Sequence, residues 1–176
     1  ESAGAVFIIM ECIDGGNLHD YLEVHGRIAW PEATRMIRDA AAGLMAAHEV
    51  GLIHRDIKPS NLMRTSRGDI KVVDFGLARP FDQRSDITRQ GAVVGTPAYM
   101  SPEQCAGTDL DARSDLYSLL CTYYHLLSGV APFGCEDIGE VLYRHRHAPF
   151  PDVRQHLPNL PESIGHILRC GTQKAA

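Results

Sequence analysis

His54-Arg55-Asp56-Ile57-Lys58-Pro59-Ser60-Asn61, followed by Asp74-Phe75-Gly76, gathers two aspartates, a lysine and an asparagine into one short region of the chain. Taken singly these residues are ordinary. An Asp or Asn in a loop is usually a turn former, and a lone His is more often structural. Between the two clusters lie strand candidates at Asn61–Arg64 and Ile70–Val73, joined by Ser66-Arg67-Gly68, where Gly68 can take a positive φ. Another short strand candidate, Leu52–Ile53, leads in. The pattern is a polar loop with its ends held by short strands, which is how a fold fixes reactive side chains in place.

Outward from this region the periodicity is mostly helical. Pro31 opens a helix at its first turn, where the missing N–H is harmless. Apolar residues at Ala33, Met36, Ile37, Ala40, Leu44 and Ala47 then fall on one face. Running to Glu49, this helix would be about 28 Å long, and Gly51 stands where a C-cap belongs. Asn17 is the expected N-cap of a shorter helix to Val24. It is preceded by the breaker Asp14-Gly15-Gly16 and by a β-rich apolar run, Ala5–Met10, that predicts a strand. Downstream, Phe75 to Gln104 shows little periodicity, and a loop of that length in a compact domain is normally functional. Ser114 is expected to cap a central, buried helix running to Ser128, and Glu162–Cys170 is the last helical pattern. Arg144-His145-Arg146-His147 contains a His-x-His that could meet a metal; with no further His or Cys cluster, a solvated basic turn is expected.

The two clusters resemble the H-R-D-x-K-x-x-N catalytic loop and the D-F-G motif of protein kinases. Eight specified residues at fixed spacing would arise by chance at about 10⁻⁸ per chain of this length, taking near-uniform residue frequencies. The resemblance implies phosphoryl transfer from ATP, which needs an oriented hydroxyl and charge neutralisation more than covalent help. Asp56 would accept the proton of the acceptor hydroxyl, and Lys58 would reach the γ-phosphate as a point charge. Asp74 would hold Mg²⁺ through a hard carboxylate oxygen, and Asn61 would offer an oxygen to a second metal without adding charge.

The resemblance continues on both sides. Lys58 together with Gly95-Thr96 looks like the serine/threonine class, so Gly95 and Thr96 are expected to bind the substrate, a protein with Ser/Thr acceptors. Gly95 to Gln104 resembles the end of an activation segment, with Ser101 in place of the commoner alanine, a variation of bacterial kinases of the eukaryotic-like (Hanks) type. Arg55, directly before the base, implies control by activation-loop phosphorylation, with Thr88 or, failing that, Ser85 as the modified residue. Phe7 to Gly16 is similar to the last strand of the small lobe and the hinge. Met10 would be the gatekeeper, Glu11 and Cys12 would offer backbone groups to adenine, and Met63 would lie beneath it. Ser114 to Leu119 resembles the start of the central helix of the large lobe, where Asp115 would hydrogen-bond the catalytic-loop backbone. Leu120 stands where a glycine is common.

The fold so implied is α+β and mainly helical: a protein-kinase-like C-terminal lobe with a residual strand of the N-terminal lobe and a small β-hairpin carrying the catalytic loop. Residues 1–16 would be the last N-lobe strand and hinge, 17–170 the C-lobe and 171–176 a tail. These 176 residues hold no Gly-rich loop, no V-A-I-K-type lysine and no helix with its glutamate partner. The chain by itself is therefore expected to transfer phosphate poorly, and its Ala5–Met10 strand to leave an apolar edge that favours self-association. The arginine that usually pairs with the glutamate at Glu103 is also missing, so Glu103 is expected to lack a partner. The alternative is a non-catalytic, kinase-like binding or regulatory module. A small-molecule phosphotransferase is disfavoured by Gly95–Gln104, which in protein kinases shapes a peptide ledge.

Bulk properties narrow the remaining classes. Apolar residues make up 44% and charged residues 22% of the chain, ordinary for a globular domain and wrong for a disordered one. A net charge of −5 and a pI near 6.0 argue against a nucleic-acid partner. The five cysteines are scattered with no C-x-x-C pair, which fits reduced thiols rather than a disulfide framework. The start shows no basic segment leading an apolar one, and Leu116–Val130, interrupted by His125, falls short of a membrane span. A cytoplasmic location is expected, as a separate protein or as the cytoplasmic domain of a membrane-anchored parent.

Overall fold

Asn17 ends the irregular entry segment and starts the first helix with its side chain: its Oδ1 accepts the N–H of Asp20 at 2.9 Å, and α1 (Leu18–His25) begins there. The computed structural model describes residues 9–75 and 97–174. The strand expected over Ala5–Met10 lies outside them except for Ile9 and Met10, which are irregular and exposed. Next comes α2 (Trp30–Glu49), with Pro31 in its first turn and Ala33, Met36, Ile37, Ala40, Leu44 and Ala47 buried, the face the spacing predicts. Beyond α2, Gly51 takes φ 76° and its N–H closes onto His48 O at 2.9 Å.

Leu52 and Ile53 are irregular rather than a strand. The N–H of Leu52 goes back to Ala47 O at 3.0 Å, so this stretch finishes the helix terminus and joins no sheet. A 3₁₀ turn, Pro59–Asn61, then feeds β1 (Leu62–Arg64), which pairs antiparallel with β2 (Ile70–Val72) in the register Leu62↔Val72, Met63↔Lys71, Arg64↔Ile70. Gly68, at φ 88°, makes the connecting turn. The hairpin lies on α2, where Gly43 admits Val72: a Cβ on that glycine would stand 3.3 Å from the valine methyl.

After a 3₁₀ turn at Pro97–Tyr99 come α3 (Pro102–Ala106), α4 (Ala112–Ser128), α5 (Ile138–His147), a 3₁₀ turn at Val153–Gln155 and α6 (Glu162–Gly171). The N-cap of α4 is Asp111, whose carboxylate accepts the N–H of Arg113, and not Ser114. Ser114 sits inside the first turn, and its Oγ makes a tertiary contact with Glu103 instead. α4 is the central helix, and it hides its hydroxyls by internal bonding: Ser118 donates to Ser114 O at 3.1 Å and Thr122 to Ser118 O at 3.0 Å. Among its leucines, Leu116 is exposed, at 44%.

One core unites α1, α2, the hairpin, α4 and α6 through Leu18, Met36, Leu44, Leu62, Leu126 and Leu168 among others. A smaller cluster of Tyr99, Tyr117 and Cys121 fills the space under the Pro97–Tyr99 turn. The structure is thus mainly helical with a two-stranded antiparallel sheet among the described residues. No helix among these residues is long and apolar enough to cross a membrane.

Candidate active site

Ile57 explains how the polar loop is anchored. It is 1% exposed and belongs to the main core, while its neighbours Asp56 and Lys58 point the other way, as alternation in an extended segment requires. Burying such a side chain contributes about 1.5–3 kcal/mol. Lys58 is extended (φ −160°, ψ 166°), the conformation favoured before a proline, and Pro59 starts the 3₁₀ turn that delivers Asn61.

These three polar side chains meet. Lys58 Nζ lies 2.8 Å from Asp56 Oδ2. Asn61 Nδ2 donates to Asp56 O at 2.8 Å and to Asp56 Oδ2 at 3.2 Å. The Asp56 side chain stays 47% exposed, so the carboxylate is braced but open to a reactant. The backbone leading into Asp74 is tied to the same loop. Val73, its predecessor, donates its N–H to Asn61 O at 3.0 Å and accepts from His54 Nε2 at 2.7 Å. Asp74 then turns outward with φ 62°, its side chain exposed.

Two residues here, Arg55 (φ 70°) and Asp74 (φ 62°), adopt the left-handed conformation without being glycine. That conformation costs on the order of 1–2 kcal/mol for a residue with a Cβ, less for Asp. The surroundings hold it. Asp115, 1% exposed on α4, accepts the N–H of His54 through Oδ2 and that of Arg55 through Oδ1, both at 2.8 Å, as the resemblance implied. His48 Nε2 adds a third bond, to Asp115 Oδ2 at 2.7 Å. His54, 1% exposed, packs its ring edge-on against Phe75 at 4.7 Å between centroids. Its Nδ1 accepts the N–H of Asp56 at 3.2 Å, so Nε2 carries the proton given to Val73 O.

The segment before α1 docks on the hairpin. Gly15 passes so close to Arg64 that a Cβ would fall 2.3 Å from its carbonyl oxygen, and Arg64 N–H donates to Gly16 O at 2.8 Å. Ser66 N–H is accepted by Asp14 Oδ1 at 2.9 Å, and Asn17 bridges to Met63. Glu11 and Cys12 line a shallow polar cleft of about 330 Å³ with Asp14, Thr65, Arg67 and Lys71. Lys71 Nζ grips the Glu11 carboxylate at 2.5 and 2.6 Å. Met10 is 67% exposed, and Met63 is half-buried in β1. Gly76, Ser85, Thr88, Gly95 and Thr96 lie outside the described residues.

Three features escape the sequence patterns. Glu103, expected to lack a partner, accepts Ser114 Oγ at 2.5 Å. His145, expected on a solvated turn, is fully buried in α5, where its Nδ1 meets Tyr117 OH at 2.9 Å and its ring meets Phe133 edge-on. Its spacing from buried Val141, four residues earlier on the same helix, is the signal that would have revealed this. Gln104 donates its side-chain N–H to Arg55 O at 2.6 Å; the Ser101-x-x-Gln104 capping pattern is the local clue to it.

The donors suit a hard divalent cation. Asp74 presents an exposed carboxylate, and Asn61, its amide nitrogen occupied by Asp56, has its amide oxygen left to offer. Comparison with known proteins supplies the family. Residues 1–164 match the protein kinase domain family. The serine/threonine-protein kinase PknB of Mycolicibacterium smegmatis is 42% identical over 165 residues, 93% of this chain and 26% of the relative. PknB of Mycobacterium leprae is 41% identical over 88% of the chain and 25% of the relative. PknL of Mycobacterium tuberculosis is 36% identical over 96% of the chain and 42% of the relative. The chain thus spans about a quarter of the length of its PknB relatives and under half that of PknL.

Proposed function

This chain belongs to the protein kinase family, and we propose that the protein containing it transfers the γ-phosphate of ATP to serine and threonine hydroxyls of protein substrates. The observation that carries this reading is the braced Asp56. Lys58 and Asn61 both engage its Oδ2, in a loop fixed from behind by Asp115. Oδ1 is then the atom through which Asp56 accepts the proton of the acceptor hydroxyl. Lys58, 20% exposed beside it, supplies a positive charge toward the transferring phosphoryl group. Mg²⁺, when bound with the nucleotide, neutralises phosphate charge; Asp74 and Asn61 are the residues that would hold it. Met10, Glu11, Cys12 and Met63 are assigned to the adenine, and Gly95 and Thr96 to the protein substrate.

Residues up to 16 are assigned to the small-lobe edge and hinge and those from 17 to the catalytic lobe, whose last helix runs on to Gly171, one residue into the expected tail. The Gly-rich loop and its lysine are not among these 176 residues, so the chain by itself transfers phosphate poorly, and exposed Ile9 and Met10 favour its self-association. Arg55 pairs with phosphorylated Thr88, or with Ser85, in the active form. The protein works in the cytoplasm or on its face of a membrane, consistent with five free cysteines.

The test is transfer from Mg-ATP to a Ser/Thr-rich acceptor protein by the full-length protein, with phosphoamino-acid analysis. Phosphoserine and phosphothreonine are expected, and Asp56→Asn lowers kcat by about 10²–10⁴-fold. Transfer undiminished in that variant would refute the assignment. No transfer at all would leave the non-catalytic regulatory module. Phosphosite mapping that finds no phosphate between Phe75 and Gly95 in active enzyme would remove the regulatory part.

A further inference from the structure

Gln104 is distant in sequence from the loop that carries Asp56, yet its side chain reaches it. Nε2 donates to Arg55 O at 2.6 Å while Oε1 accepts the N–H of Ser101 at 2.9 Å. One amide therefore ties the N-cap of α3 to the peptide that joins Arg55 to Asp56. The opposite edge of the same peptide plane, the N–H of Asp56, is held by His54 Nδ1 at a longer 3.2 Å. The residue preceding that plane is left-handed Arg55, whose own N–H belongs to Asp115. Left-handed backbone at a residue with a Cβ persists only where its neighbours over-determine it, and Gln104 supplies the short bond on the carbonyl side.

We propose that Gln104 is a positioning residue for phosphoryl transfer, aiming the Asp56 carboxylate by holding the Arg55–Asp56 peptide plane. This rests on the phosphotransfer function proposed for the protein. It follows that the segment ending the activation loop and the catalytic loop are mechanically joined at this amide. Without the Gln104 donor the plane keeps the longer His54 bond but loses the short one and can rock, displacing Asp56 from Lys58 and Asn61; small misplacements of a catalytic group carry large rate penalties.

Glu at this position separates the two bonds. A carboxylate still accepts the Ser101 N–H, and Glu is a favoured partner in a capping box, but it has no proton to give Arg55 O. In the full-length protein Q104E is expected to lower kcat about 10-fold or more, with KM for ATP unchanged within about 2-fold and the melting midpoint lowered by a few degrees for the lost bond. Amide exchange across residues 53–58 should quicken. The control is S101A, which removes the Oγ bond to the Gln104 N–H and leaves the tie to Arg55; it should lower the melting midpoint and keep kcat. Wild-type kcat in Q104E, unchanged exchange at 53–58, or an equal kcat loss in S101A would each overturn the proposal. If Q104E unfolds, Q104M serves in its place: kcat and exchange at wild-type level overturn the proposal, and loss of both supports it. If the wild-type protein transfers no phosphate, the functional reading fails on its own, while exchange still reports whether Gln104 holds the loop.

Discussion

His54 and His145 are both buried imidazoles packed edge-on against a phenylalanine, at centroid distances of 4.7 Å to Phe75 and 5.0 Å to Phe133. They do different work. The ring of His54 bonds backbone on both sides, Asp56 N–H and Val73 O, and so fixes the path of the chain through two left-handed residues. His145 bonds a side chain, Tyr117 OH, and closes a contact between α5 and α4 in the aromatic cluster under Pro97–Tyr99. The first region is polar, strained and held by hydrogen bonds over a half-open carboxylate. The second is aromatic and closed to solvent, held by packing around the Tyr117–His145 bond, with Phe133 at φ 56°. Strain and open charge coincide at the candidate site, and both are supported from elsewhere in the fold.

Removing the support of the first region should have the largest effect. Asp115→Ala leaves His48 and the N–H groups of His54 and Arg55 without their acceptor. A loss of about 3–5 kcal/mol in denaturant unfolding is expected, with phosphotransfer lost alongside. A loss below about 1 kcal/mol would mean that Asp115 does not hold the loop.

The second region should respond to pH instead. Burial, with the charge of Lys174 second, pushes His145 down from 6.5 to about 4. The folded state keeps this group neutral while the unfolded chain takes up its proton near 6.5. Its contribution is therefore complete above that pH and is lost as pH falls toward 4. Between pH 7 and pH 5 the unfolding free energy should drop by about 2 kcal/mol on this account. His145→Gln should remove that part of the pH dependence; an identical slope in the variant would contradict the assignment.

The smallest effect tests whether the regions are separable. Asp137 caps α5 by accepting the N–H of Gly139 at 2.8 Å, far along the chain from the loop. Asp137→Ala should cost about 1 kcal/mol in unfolding and leave the phosphotransfer rate as it was. A rate loss would join what the comparison keeps apart.

The same contrast governs what can be read from sequence. The buried face of α2, the Asn17 cap and the hairpin turn at Gly68 are legible because each depends on residues within a turn or two. The candidate catalytic cluster is legible because His54 to Asn61 is contiguous and carries its own spacing. Its supports are not: His48, His54 and Arg55 reach Asp115 across 67, 61 and 60 residues, and Gln104 reaches Arg55 across 49. Of these only Asp115 is expected, through the resemblance. Ser114 reads as a cap because a serine before a helix is locally indistinguishable from one inside its first turn. Only the fold shows that its hydroxyl faces Glu103. The charged neighbours of His145 hide the Val141–His145 face.

On the proposed function, Asp56 and Asp74 serve one reacting phosphate. Single-turnover phosphotransfer by full-length Asp56→Asn, Asp74→Asn and the double variant tests it most directly, since groups acting as a unit are not additive. Each single change should slow transfer by about 10²-fold or more, and the double variant should be no slower than the worse single within about 3-fold. Losses that multiply in the double variant would contradict it.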